Sequence, residues 1–143
     1  ISGTSEAALS PDKQKLLYSI LKDGSSKLML SNVDGSELHA LGIEGGIPSW
    51  SPDGAWIIYY KNNSGAINMV RPDGSDVREN VVLNSIFPPV WSPDGKYLLT
   101  QTGEFNPGGS LLALTSLEDG QTQLIPMKML DPTQIWQLLG WAK

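Results

Sequence analysis

The chain has 143 residues, with ten Lys or Arg against fifteen Asp or Glu, a net charge of −5, five Trp and four Tyr. At 40% hydrophobic residues it is too apolar for a disordered chain. The acidic balance, with no basic stripe to neutralise phosphates, argues against a nucleic-acid partner. Cys is absent, which excludes disulfide frameworks and thiolate sites. One His, His39, leaves little room for imidazole catalysis or a multi-His metal site. Fifteen Gly and ten Pro favour many turns over long helices. No apolar run approaches the roughly 20 residues that span a bilayer, and no signal peptide is expected. A start at Ile1 rather than Met reads as a mature or excised segment.

Taken in chain order, the predicted elements repeat. The first unit runs Leu9-Ser10-Pro11-Asp12-Lys13, then an apolar run Leu16-Leu17-Tyr18, a second run Leu28-Met29-Leu30, Asp34-Gly35 and a closing strand Glu37–Leu41. The second runs Trp50-Ser51-Pro52-Asp53-Gly54, Ile57-Ile58-Tyr59, Ile67–Val70, Asp73-Gly74 and Val77–Leu83. The third runs Trp91-Ser92-Pro93-Asp94-Gly95, Leu98-Leu99-Thr100, Leu111–Leu114, Asp119-Gly120 and Thr122–Ile125. The leading prolines stand at 11, 52 and 93, two equal intervals of 41. Self-similarity at one period, repeated in three coincident signals, is the signature of a repeat architecture.

Turn chemistry explains the repeated residues. In Ser-Pro-Asp-Gly, Pro presets φ near −65° and Gly supplies the positive φ that re-enters a strand. Asp-Gly between two apolar runs is a hairpin signal. Each unit therefore reads as four short antiparallel strands, A to D, and no segment sustains a helical period. The runs Leu16–Leu21 and Trp56–Tyr60 are nearly unbroken rather than alternating, so their sheets are covered on both faces. Four-stranded sheets of about 40–45 residues, each sandwiched between neighbours, describe propeller blades.

The pattern Trp-Ser-Pro-Asp-Gly, an apolar B strand, then C strand, Asp-Gly and D strand resembles the TolB-type propeller repeat. Similar repeats occur in the propellers of tricorn and prolyl-oligopeptidase-like peptidases. The resemblance covers nearly the whole chain. It is specific for fold and weakly specific for function, because the motif residues are turn and core residues. The first unit departs from it, with Leu9 for the Trp and Lys13 for the Gly. The third departs with a longer B–C connection, Thr102–Gly109. Gly140-Trp141-Ala142 reads as one more A strand. The expected fold is all-β: one partial β-propeller over 1–143, with blades at approximately 6–42, 47–84 and 88–126 and an extra inner strand at 136–142.

Candidate functional residues are few. Trp50, Trp91 and Trp141 occupy equivalent repeat positions and read as packing between blades, as does Trp56. Asp12, Asp53 and Asp94 read as turn caps, because Ca²⁺ needs six to eight converging oxygens. His39 falls on an outer strand and reads as solvated. There is no nucleophile-elbow motif and no Gly-rich phosphate loop. Catalytic, cofactor and metal sites are therefore all expected to be absent, and Asn62-Asn63-Ser64 is a glycosylation sequon only in form.

If strands run A to D outward, the B–C and D–A loops share one face, where propellers commonly bind ligands. Those loops carry Glu44, Asn62, Asn63, Glu104, Phe105, Asn106 and Asp131, with Phe105 the leading contact candidate. Trp136, outside the repeat pattern, is a further candidate contact. The expected function is a non-enzymatic protein- or ligand-binding scaffold in the periplasm, at the cell surface or outside the cell. The alternative is the propeller portion of a peptidase or hydrolase whose catalytic domain lies elsewhere. Expected partners are a protein or small ligand on the B–C/D–A face, with no nucleic acid and no membrane span. Three blades leave apolar blade faces, so self-association or blades supplied from elsewhere are expected too.

Overall fold

The computed structural model describes residues 4–61, 64–85, 88–106 and 109–126. For 4–6, 102–106, 109–111 and 126 the description covers the backbone alone. Among the described residues there is no helix, and twelve strands form three four-stranded antiparallel sheets. Blade 1 comprises β1 (Thr4–Leu9), β2 (Lys15–Lys22), β3 (Ser25–Asn32) and β4 (His39–Glu44) in that spatial order. Blade 2 is β5 (Gly46–Trp50), β6 (Ile57–Tyr60), β7 (Ile67–Val70) and β8 (Arg78–Val82). Blade 3 is β9 (Val90–Trp91), β10 (Tyr97–Asn106), β11 (Gly109–Ser116) and β12 (Thr122–Pro126). Each blade is thus an up-and-down meander in chain order, as the three repeated strand–turn units predict. The chain clusters into two compact units, one ending at Leu83 and the other beginning at Asn84.

Two boundaries differ from the sequence expectation. The closing strand of blade 1 begins at His39, because Glu37 sits in the turn with a positive φ of 54°. The expected B–C connection at 102–109 is instead the distal part of a long hairpin. There β10 continues to Asn106, β11 starts at Gly109, and the register shifts between Thr102 and Asn106. With Phe105 the one large apolar residue in 102–106, no apolar alternation marks this stretch as strand, yet β10 runs through it, paired to β11 at Thr102 and Asn106. The expected strand at 136–142 lies outside the described residues.

In the first unit the two blades share a core. Leu17, Leu28, Leu30 and Leu41 of blade 1 pack with Ile57, Tyr59 and Val70 of blade 2, and Ile43 and Trp50 border them. Register sets this arrangement. Leu17 lies opposite Leu30, so both point to one side, while Ile57 lies opposite Val70. Burying each such side chain is worth about 1.5–3 kcal/mol. β6 and β7 are buried on both faces, with Ile58, Ile67 and Met69 each at most 2% exposed. This is the doubly covered strand that an unbroken apolar run predicts. In the second unit, Leu99 and Leu112 form a smaller cluster bordered by Leu114 and Ile125.

Candidate functional site

The three Ser-Pro-Asp turns are built alike. In each, the Ser hydroxyl donates to the Asp Oδ1 at 2.6 Å: Ser10 to Asp12, Ser51 to Asp53 and Ser92 to Asp94. The same Oδ1 accepts a backbone N–H two residues on, from Gln14 (3.0 Å), Ala55 (3.0 Å) and Lys96 (3.1 Å). The Ser Oγ in turn accepts the N–H of Lys15, Trp56 and Tyr97, each at 2.9 Å. A backbone bond from residue four of the turn to the Ser carbonyl closes each loop at 2.9 Å. That fourth residue takes a positive φ: Lys13 61°, Gly54 72°, Gly95 71°. The C–D turns repeat the logic, with Asp34 and Asp73 accepting both the N–H and the hydroxyl of Ser36 and Ser75.

Those bonds hold the carboxyls of Asp12, Asp34, Asp53, Asp73, Asp94 and Asp119 below the ordinary carboxylate value. In every case the largest cause is a serine hydroxyl donated to the charged form. The expectation of Asp as turn cap is thus met in geometry. Among the described residues no group of three or more His, Cys, Asp or Glu gathers to hold a metal.

Within the first unit, the A–B turns of blades 1 and 2 flank a groove of about 510 Å³. Its walls are Pro11, Asp12 and Lys15 on one side and Asp53, Gly54 and Pro72 on the other, with Trp50 also lining it. The volume falls within the roughly 300–1,000 Å³ of ordinary ligand pockets. Trp50 is held in place by its own N–H, which donates to the Ala8 carbonyl at 3.3 Å. Both carboxylates meet their turns through Oδ1.

Beside the groove, one repeat position carries two different polar clusters. Lys15 in blade 1 donates from Nζ to Asn32 Oδ1 (2.7 Å) and pairs with Glu37 (3.0 Å). Its blade 2 counterpart is Trp56, with the Arg71 and Arg78 guanidinium carbons 3.9 and 4.3 Å from the ring centroid. Asp76 lies 3.8 Å from Arg71 and 3.6 Å from Arg78. The repeat thus keeps a position and reverses its chemistry, from a cation to an aromatic ring that receives cations.

Of the residues singled out in the sequence, Glu44 lies at the exposed end of β4 and accepts a hydrogen bond from Ser25 Oγ at 3.2 Å. That bond joins the D–A connection to the B–C turn of blade 1, as the strand order implies. The backbone of Glu104, Phe105 and Asn106 belongs to β10, and their side chains lie outside the described residues. Asn62, Asn63, Asp131 and Trp136 lie outside them as well. His39 is exposed on β4, with Nδ1 2.7 Å from the Glu37 carbonyl. The groove on the A–B side was not anticipated. Its sequence signal is the pair of Pro-Asp turns one repeat apart, which turn chemistry by itself also explains.

The three four-stranded meanders and their Ser-Pro-Asp turns have the form of β-propeller blades, a fold the chain shares with TolB structures. No family model and no curated protein matches the sequence significantly. Solved structures do. A protein assigned as TolB from Agrobacterium tumefaciens is 22% identical with a TM-score of 0.68, over 87% of this chain and 50% of that one. TolB from Acinetobacter baumannii is 16% identical with a TM-score of 0.69, over 88% of this chain and 33% of that one. The β-propeller domain of the trilobed protease from Pyrococcus furiosus is 18% identical with a TM-score of 0.67, over 87% and 43%. At these identities the likeness is one of fold. The chain spans half or less of the length of each of these structures.

Proposed function

We propose that the chain is a non-enzymatic binding scaffold, a propeller segment that presents rigid turn surfaces to a protein or small ligand. The carrying observation is the groove between the first two blades. Its turns are locked by their own Ser–Asp hydrogen bonds, and Asp12 and Asp53 line it with their carboxylates. Polar groups held this way serve recognition well, because no ordering cost is added when a ligand arrives. The single, exposed His39 and the commitment of every repeated Asp to its own turn favour binding over acid–base chemistry. The fold shared with the two TolB structures supports the same reading.

A periplasmic, cell-surface or extracellular location goes with that proposal. No helix among the described residues is long and apolar enough to cross a membrane. The B–C/D–A face, with Glu44 at its blade 1 edge, is a second surface of the same scaffold.

Capture on immobilised chain, followed by titration of the purified partner, tests the reading. Saturable binding that weakens in Asp12→Asn/Asp53→Asn, which keeps the turn acceptor and removes the charge, supports it. Turnover of a hydrolase or lyase substrate by this chain alone overturns it.

A further inference from the structure

Six Asp-Gly dipeptides punctuate the chain. In five of them, Asp34-Gly35, Asp53-Gly54, Asp73-Gly74, Asp94-Gly95 and Asp119-Gly120, both partners are bound within their own turn. The Gly N–H donates to a backbone carbonyl, of Asn32, Ser51, Arg71, Ser92 and Ser116 in turn, at 2.9–3.0 Å. The Asp Oδ1 accepts the N–H two residues on, at 2.9–3.1 Å. A serine hydroxyl joins it at 2.6 Å on Asp34, Asp53, Asp73 and Asp94. The sixth pair, Asp23-Gly24, is built differently. It is the two-residue turn that pairs Lys22 with Ser25, with φ of 52° and 81°, and both residues are exposed. Among the described residues, neither the Asp23 carboxyl nor the Gly24 N–H has a hydrogen-bond partner. Local sequence does not separate the cases, since Asp-Gly-Ser stands alike at 23–25, 34–36 and 73–75.

We propose that Asp23-Gly24 is a site of spontaneous main-chain isomerisation, where the turn converts to an isoaspartyl linkage while the fold protects the other five pairs. The Gly24 nitrogen bonds to Asp23 Cγ, and its proton leaves with the carboxyl hydroxyl as water, closing a five-membered imide. Water then reopens the ring. Addition at Cγ restores aspartate. Addition at the Asp23 main-chain carbonyl carbon leaves the chain running through Cβ and Cγ and frees the α-carboxylate. Water is released once and consumed once, and no oxidant takes part. Glycine brings no side chain to crowd the attacking nitrogen. At the other five pairs, hydrogen bonds to both reacting groups must break before the ring can close. The bonds that hold those five carboxyls below the ordinary carboxylate value also keep them ionised, without the hydroxyl that must depart. The product lengthens a two-residue turn by one main-chain carbon. Ser25, next in the chain, donates its hydroxyl to Glu44 at 3.2 Å, so the change falls on the B–C/D–A side of blade 1. This chemistry is independent of the binding reading above.

The test ages the folded chain in heavy-oxygen water at neutral pH and physiological temperature, then maps its peptides by mass spectrometry against synthetic isoaspartyl standards. Each ring opening leaves one heavy oxygen in the product. Labelled isoaspartate is expected at Asp23 about tenfold or more faster than at any of the other five pairs, where two hydrogen bonds must break first. In denaturant the Asp-Gly-Ser sites at Asp23, Asp34 and Asp73 are expected to age at similar rates, because the protection is gone. Ser75→Ala, at an exposed position, removes the hydroxyl from Asp73. It is expected to raise the rate at Asp73 several-fold and to leave Asp23 unchanged, with circular dichroism melts confirming that the variant is folded. A rate at Asp23 no greater than at the other pairs of the folded chain overturns the inference. So does an equal preference for Asp23 in denaturant, which puts the cause outside the fold.

Discussion

Trp50 donates its indole N–H to the carbonyl of Ala8 at 3.3 Å, tying the first strand of blade 2 to that of blade 1. The two residues are 42 apart in sequence, and the bond exists only because successive repeats stack in register. Trp50 also borders the shared core and lines the groove, so one side chain joins packing to the candidate site.

Replacing Trp50 by Phe keeps an aromatic body and removes the donor. The expected cost is about 1 kcal/mol, the net worth of one hydrogen bond, read as a lower urea midpoint at unchanged slope. Replacement by Ala, which also empties part of the core border, costs more. A Phe variant as stable as the wild type would show that the bond contributes nothing.

Lys13 occupies the turn position that Gly54 and Gly95 hold in the other two units, and it adopts φ = 61°. A side chain in that region costs about 1–2 kcal/mol, while glycine loses about 0.5–1 kcal/mol of extra backbone entropy on folding. Lys13→Gly is therefore expected to be neutral to stabilising, by up to about 1 kcal/mol. Gly54→Lys should destabilise for the converse reason. Paired thermal melts of the two variants check the sign.

Six turn carboxyls have pKa values depressed in the folded state, chiefly by serine hydroxyls. A depressed carboxylate contributes stability that is fully present above its ordinary value of 3.8. That contribution is lost as pH falls through the folded value. The chain should therefore lose stability in acid, below about pH 4. Ser51→Ala, which removes the largest cause of the Asp53 shift, should flatten the acid limb of a stability–pH curve. An unchanged limb would place the acid sensitivity elsewhere.

Blade content was legible from residues because its causes are local. Ser-Pro-Asp-Gly and Asp-Gly state where the chain reverses, and unbroken runs such as Ile57–Tyr59 state where a strand is covered twice. At 102–106 no apolar alternation signals a strand, and the pairing of Thr102 and Asn106 to β11 supplies it. The groove is not legible in the sequence for a related reason. Each Asp explained itself fully as a cap, and nothing in the sequence says that two caps a repeat apart face one space.

What the sequence determined alone, then, is the repeat itself: three units of four antiparallel strands, their turns, and which strands are apolar throughout. These follow from backbone and side-chain preferences acting within a few residues. Only the tertiary structure decided that Trp50 meets Ala8, that Leu17 and Ile57 share a core, and that Lys15 and Trp56 answer one position with opposite chemistry. Those outcomes depend on which side of a sheet each residue faces and on the register between sheets. A shift of one residue would reverse all of them.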